Sequence, residues 1–364
     1  MTAAPSAPPP FGRFFLPGPT DVHPEVLAAL ERPMIGHRSA AMEALLRDLA
    51  SRLAPVFRTA RPVLIGTASA TGFMEMAARN GVRRRALSLV NGAFSERFAN
   101  LVVAAGKECV RLDVPLGCAV EPDVLRDALR RTPVDAVTLA HSETSTGVLQ
   151  DVSALAAVAR EFDDVLVLVD AVTSLAGSPV EPDAWGLDFT FTGSQKALAL
   201  PPGLALGVAS ARMVERAKTL PGRGLYFDLV SFEQAMSRFQ PTTTPAISLL
   251  YALQAQLQRI EREGGIEARW RRHDAMRRRV EDWAAGRGVE YLPREDRRSW
   301  TVSCLKLPAS TGAKAVVGAL KTQGWTIGSG YGALKETTIR IGHMGDHDVA
   351  ALDELLGVIG RALT

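Results

Sequence analysis

Two short runs, Ala136–Ala140 and Val165–Val169, are apolar at every position but Thr138 and rich in Val and Leu. A strand with one wet face alternates apolar and polar residues. A strand that is apolar throughout is covered on both faces, as in a parallel sheet sandwiched by helices. Similar β-type runs occur at Pro62–Ile65 and Ala86–Val90. Helical stretches follow at Phe73–Asn80, from Asn91-Gly92 to Ala105, and at Val152–Phe162. This βαβ alternation predicts an α/β domain with a mainly parallel sheet. After about Pro245 the pattern changes. Two long helices, Ala246–Glu263 and Ile266–Ala285, are separated by Gly264-Gly265. Short strands follow at Thr301–Leu307 and Thr337–Ile341, with a helix at Ala313–Gln323 and another from Asp346, predicting a smaller α+β domain. The expected division is an arm at 1–15, a large domain at 16–262 and a small one at 263–364. Ala, Ser and Pro dominate the first ten residues, which lack the pattern of a secretory signal and read as a flexible arm.

Composition excludes several classes. The chain has 364 residues, 47% of them apolar and 22% charged, with a formal charge of +3. Such a balance gives little support to a nucleic-acid or membrane-surface role. The arginine runs Arg83–Arg85 and Arg277–Arg279 read more simply as solvated faces than as a nucleic-acid patch. The longest uncharged apolar stretch, Ala197–Ala211, is too short to span a bilayer and is broken by Pro201-Pro202-Gly203. Three scattered cysteines and no Cys/His cluster argue against structural zinc and suit a reducing cytoplasm.

Four features carry chemistry. Asp170 ends the buried strand Val165–Val169, where ligands of parallel sheets sit. A carboxylate there needs a cation or strong donor, and a protonated pyridine nitrogen is one. Capping the next turn is the alternative. Lys196 closes the run Phe189–Lys196 and precedes the apolar stretch Ala197–Leu200, so it is expected to be buried. Burial lowers a lysine pKa and makes the amine nucleophilic; a snorkelling surface lysine is the less favoured alternative. Gly66-Thr-Ala-Ser-Ala-Thr-Gly72 follows a strand and opens a helix. Its free N–H groups and hydroxyls suit a phosphate, or it is merely a well-capped turn. It matches neither the dinucleotide nor the P-loop fingerprint. Phe94, just past Asn91-Gly92, could stack on a planar ring or pack in the core. Together the four supply what pyridoxal 5′-phosphate requires.

On these residues the sequence resembles the class V aminotransferases of the fold-type I pyridoxal-phosphate enzymes, especially the alanine–glyoxylate, serine–pyruvate and serine–glyoxylate branch. The resemblance runs from Pro17-Gly-Pro-Thr20 to Arg340-Ile-Gly-His-Met-Gly345. Between them lie Met34-Ile-Gly-His-Arg38, His141-Ser-Glu-Thr-Ser-Thr-Gly147, Gly193-Ser-Gln-Lys196 and Thr244-Pro245. It implies that Lys196 forms the Schiff base and moves the proton, and that Asp170 pairs with the pyridine nitrogen. By the same resemblance Phe94 stacks on the ring and Thr144 approaches the ring hydroxyl. Ser69, Ala70, Thr71 and Gln195 hold the phosphate. Thr243 reaches the phosphate of a second subunit in a homodimer, and Arg340 clamps the substrate carboxylate. His37-Arg38 resembles a pair that phosphoserine aminotransferases use for the substrate phosphate. The expected reaction is ping-pong transfer from alanine or serine to glyoxylate or pyruvate, through pyridoxamine phosphate. Phosphoserine transamination is the alternative. Cysteine desulfurase chemistry is less favoured, since Ile327–Lys335 holds no cysteine. No metal, membrane or nucleic-acid partner is expected.

Overall fold

The computed structural model describes residues 11–308 and 310–363. Seven strands form the main sheet, in the spatial order Val63–Thr67, Leu204–Ala209, Phe189–Gly193, Leu166–Asp170, Ala136–Ala140, Arg85–Val90 and Glu108–Asp113. All point one way except Leu204–Ala209, which is antiparallel to both neighbours. The continuous apolar runs have a direct cause. Successive strand residues face opposite sides of the sheet, and each side is covered by helices. Leu166 and Leu168 pack with Phe73, Phe189 and Met213, while Val167 and Val169 pack with Leu87, Val137 and Leu155. The fold is the α/β, fold-type I architecture expected from the sequence: a large, mostly parallel sheet flanked by helices.

A second sheet has four strands in the order Phe14–Phe15, Thr326–Ser329, Thr338–Ile341 and Ser303–Lys306. The helices Gly265–Ala285, Ala313–Thr322 and Val349–Ala362 contribute to the core against it. The preceding helix, Ile247–Arg262, ends where Gly264 takes a φ of +102°, a turn that a residue with a Cβ adopts only under strain.

One expectation is corrected here. The arm was drawn through residue 15, and of it residues 1–10 lie outside the described residues. Phe14 and Phe15 are a strand of the small sheet, parallel to Thr326 and Ile327. Phe15 is fully buried and stacks on His347 with 3.9 Å between ring centroids. Two adjacent aromatics placed beside a sheet edge gain more by burial than the chain loses in freedom. Their assignment to an arm followed the neighbouring prolines instead.

The arginine runs are ion-paired. Arg83 meets Asp164, Arg84 and Arg85 meet Glu108, Arg277 and Arg278 meet Asp274, and Arg279 meets Asp353. The apolar stretch Ala197–Ala211 supplies the antiparallel strand. Among the described residues no helix is long and apolar enough to cross a membrane, and no group of three or more His, Cys, Asp or Glu could hold a metal ion.

Candidate active site

The register Ala140–Asp170–Phe191 aligns three neighbouring strands at their carboxyl ends, and the candidate residues gather there. Asp170 is the last residue of its strand and is buried. One carboxylate oxygen accepts the Val172 N–H at 2.8 Å, so it does cap the next turn. That leaves it otherwise dependent on its surroundings. Burial pushes its pKa up to about 7, the Val172 bond and the charges of Lys196 and Arg97 pull it down, and the nearby Glu143 raises it further.

Lys196 follows the strand Phe189–Gly193 after the turn at Ser194 and Gln195. It is only 7% exposed, which rules out the snorkelling reading. Burial pulls its pKa down to about 8 against the opposing pull of Asp170, and Arg340 lowers it further. Its amine donates to the Pro17 carbonyl and lies 5.8 Å from the Phe94 ring centroid. The surrounding backbone is held from a distance in sequence. Thr20 bonds the Gln195 carbonyl through its N–H and the Lys196 carbonyl through its hydroxyl. Arg269, fully buried, donates twice to the Ala197 carbonyl and once to Asp346. Gly18 has a φ of +96°, and a Cβ there would fall 2.5 Å from Lys196 Cδ. A lysine this close needs a glycine at that point.

Phe94 sits in the first turn of the helix Ala93–Ala104. A fully buried carboxylate, Glu143, accepts from the N–H groups of Phe94, Ser95 and Ser145 and from both serine hydroxyls. The anion thus neutralises the positive end of the helix that carries Phe94. Arg97 lies over the same ring at 4.9 Å. Arg340, on the strand Thr338–Ile341, donates to the carbonyls of Ser329 and Thr144, and burial lowers its pKa. Thr144 is buried, its hydroxyl 2.5 Å from that of Thr173.

The small-residue turn Gly66–Gly72 follows a strand and opens a helix, as its sequence predicts. Ser69 is the N-cap of the helix Ala70–Gly81 and makes no side-chain cap bond. Gly66 and Gly72 are required by packing: a Cβ would strike the ring of Phe73 in one case and that of Phe227 in the other. A Cβ on Gly193 would meet both Gln195 Oε1 and Ala70 Cβ, so the Gln195 amide lies beside this turn.

Three candidates stand apart from this cluster. Arg38 is exposed and donates to the Pro241 carbonyl, and His37 beside it is half-buried. Thr243 is exposed, in the segment just after Pro241. Sequence reasoning assigned no role to Gly18, Thr20, Glu143 or Arg269. The first three lie in segments already quoted for the resemblance, but nothing local says what they touch. Arg269 gave no signal within its arginine-dense helix.

A family model described as aminotransferase class-V matches residues 96–340, spanning Asp170, Lys196 and Arg340. The chain belongs to the class V aminotransferases. It is 37% identical to an uncharacterized aminotransferase of Methanocaldococcus jannaschii, over 91% of this chain and 87% of that one. Among solved structures, an aspartate aminotransferase of subgroup IV from Thermus thermophilus matches with a TM-score of 0.89 and 33% identity, covering 96% of this chain and 99% of that chain. An alanine–glyoxylate aminotransferase from Nostoc sp. matches with a TM-score of 0.93 and 29% identity, covering 100% and 98%. This class V aminotransferase is therefore a transaminase of a pyridoxal-phosphate-dependent family.

Proposed function

We propose that this aminotransferase holds pyridoxal 5′-phosphate on Lys196 and transfers an amino group from alanine or serine to glyoxylate or pyruvate in a ping-pong sequence. One observation carries the reading. A buried lysine with a lowered pKa lies beside the Phe94 ring and feels both a buried aspartate, whose pKa is raised, and the Arg340 guanidinium brought in from the smaller sheet. Perturbed pairs of this kind mark sites of proton transfer.

The residues fit the cofactor. Asp170 is a buried carboxylate awaiting a cationic donor, and Phe94 offers a ring face. Ser69, Ala70 and Thr71 present a helix N-terminus, with Gln195 beside it, for the phosphate. The Thr144 carbonyl accepts from Arg340, which brings that residue beside the carboxylate candidate. When bound, the cofactor supplies the electron sink for the charge left at the substrate Cα. Lys196, as an amine with a pKa near 8, holds or releases that Cα proton at neutral pH. Arg340 must exchange its two carbonyl partners for two carboxylate oxygens, a bidentate exchange suited to guanidinium.

We propose further that residues 16–262 bind the cofactor, with the smaller unit at 263–364 joined by Phe14–Phe15. The enzyme works as a cytoplasmic homodimer, and the exposed Thr243 contributes to the partner's phosphate site. Sedimentation at assay concentration checks this last point: a fully active monomer excludes it.

A dicarboxylic donor such as aspartate is the second reading. Arg97 beside Phe94 has no ion-pair partner among the described residues, leaving a positive charge near the ring. Against a phosphorylated donor stands the Arg38 bond to Pro241, which uses that guanidinium as a brace. The test adds single amino acids to the holoenzyme and follows bleaching of the cofactor absorbance. Alanine or serine should bleach it fastest. Preference for aspartate favours the second reading, and preference for phosphoserine overturns both. Lys196→Ala should lose the cofactor that borohydride fixes to the wild-type chain. Fixation at another lysine would end the Lys196 assignment.

A further inference from the structure

Tyr331 lies in the turn between the strands Thr326–Ser329 and Thr338–Ile341. Its ring centroid is 5.8 Å from that of Phe94, and the Arg340 guanidinium lies 5.7 Å from its centre. The ring therefore lies beside both the aromatic proposed for the cofactor and the arginine proposed for the carboxylate. Its backbone is fixed. Gly330 N–H bonds the Thr338 carbonyl, the Tyr331 carbonyl accepts from Leu334, and the Gly332 carbonyl accepts from Lys335. A Cβ on Gly330 would collide with the Leu334 carbonyl, so the turn that aims Tyr331 depends on that glycine. Tyr331 is 42% exposed, and its hydroxyl has no hydrogen-bond partner among the described residues.

The stereochemistry of an α-amino acid makes this position consequential. Of the four groups on Cα, the amine goes to the cofactor, the hydrogen to Lys196 and the carboxylate to Arg340. Only the side chain remains, and its direction is then fixed. On the protein surface beside these groups stands Tyr331. It is one wall of a cleft of about 330 Å³, also lined by Gly92, Ala93 and Leu334 and by Arg111, which is ion-paired with Glu96 and Asp113 of the same lining. We infer that Tyr331 is the residue that selects the donor's side chain, its ring shutting long side chains out of that cleft and restricting the enzyme to donors with one or two side-chain atoms. This rests on the site reading above.

The experiment compares wild type, Tyr331→Phe and Tyr331→Ala, as holoenzymes, with alanine, serine, leucine and methionine as donors. Binding of two unreactive acids, acetate and 4-methylpentanoate, is measured in parallel by calorimetry. Truncation should raise kcat/KM for leucine and methionine relative to alanine by about tenfold or more, the order expected for a gain of two or three buried methylenes. It should tighten 4-methylpentanoate by a similar factor while acetate changes little. Tyr331→Phe should keep the wild-type order, since the ring and not the hydroxyl is the barrier. Equal losses for all donors and both acids would show that Tyr331 only supports Arg340 and would overturn the inference, as would no change. A wild type that reacts with none of the four donors refutes the small-donor reading of the site, and the inference with it. A wild type that reacts with alanine but whose preference survives truncation refutes the inference alone.

Discussion

The Asp170 carboxylate has one hydrogen-bond donor among the described residues, the Val172 N–H. Its pKa rises from 3.8 to about 7, first because of burial. Between these values the folded, cofactor-free chain keeps a proton that the unfolded chain has released. The group's contribution to stability therefore falls as pH rises from about 4 through 7 and stays low above it. Lys196 runs the other way: lowered from 10.5 to about 8, it costs stability below pH 8, and the cost is relieved as pH rises towards 10.5. Asp170→Asn should thus make the cofactor-free protein more stable at pH 8, by about 2 kcal/mol, with the gap closing towards pH 4. Urea unfolding at several pH values reads this out, and a gap independent of pH would remove the carboxylate as its cause. If Asp170 pairs with the cofactor as proposed, the same substitution should abolish most activity, because a neutral partner no longer holds the pyridine nitrogen protonated. Turnover within a few-fold of wild type would leave Asp170 as a turn cap alone. Both Asp170 and Lys196 were legible in the sequence, since a charged residue at the end of an apolar run announces its own burial. Arg38 was not. Its partner is the Pro241 carbonyl, 203 residues away, and a backbone acceptor leaves no trace in the sequence.

Elements were legible where one segment carries its own reason. The strand Ala136–Ala140 lies where its apolar run predicts, and the helix Ala70–Gly81 starts three residues before the predicted Phe73, at the small-residue turn itself. What joins one element to another was hidden. Nothing near Gly92 says that the helix after it is capped by a glutamate 51 positions later, because that contact exists only once two parallel strands lie side by side. Glu143→Gln converts charge-assisted bonds into neutral ones and leaves an amide among donors. We expect a loss of roughly 2 kcal/mol in unfolding free energy, together with weaker cofactor binding, since Phe94 opens the same helix. Equilibrium dialysis of the cofactor and a denaturant curve measure the two separately. Unchanged cofactor affinity would confine Glu143 to stability.

At the scale of the whole molecule, the helix Gly265–Ala285 is tied to the lysine segment by one fully buried guanidinium. Arg269 bonds Ala197, next to Lys196, and Asp346, beyond the last strand. Burial raises the Asp346 pKa, but Arg269, Gln256 and Arg272 outweigh it and hold the carboxyl below its ordinary value. Removing one side of such a pair costs more than the pair contributes. Arg269→Met should therefore destabilise the fold by about 3–5 kcal/mol, read from chemical unfolding. A loss below about 1 kcal/mol would mean that Arg259 and Arg272 already satisfy Asp346.

The short strand Phe14–Phe15 carries the last consequence. It is clamped in the small sheet, yet the Pro17 carbonyl, two residues on, holds the amine of Lys196, which belongs to the large one. Two residues of chain allow little slack. If the two sheets rock against each other during turnover, the segment acts as a tether: displacement of the small sheet is transmitted to the hydrogen bond that restrains the lysine. A rigid-body movement on one side of the molecule would then be felt as release or capture of a single amine on the other.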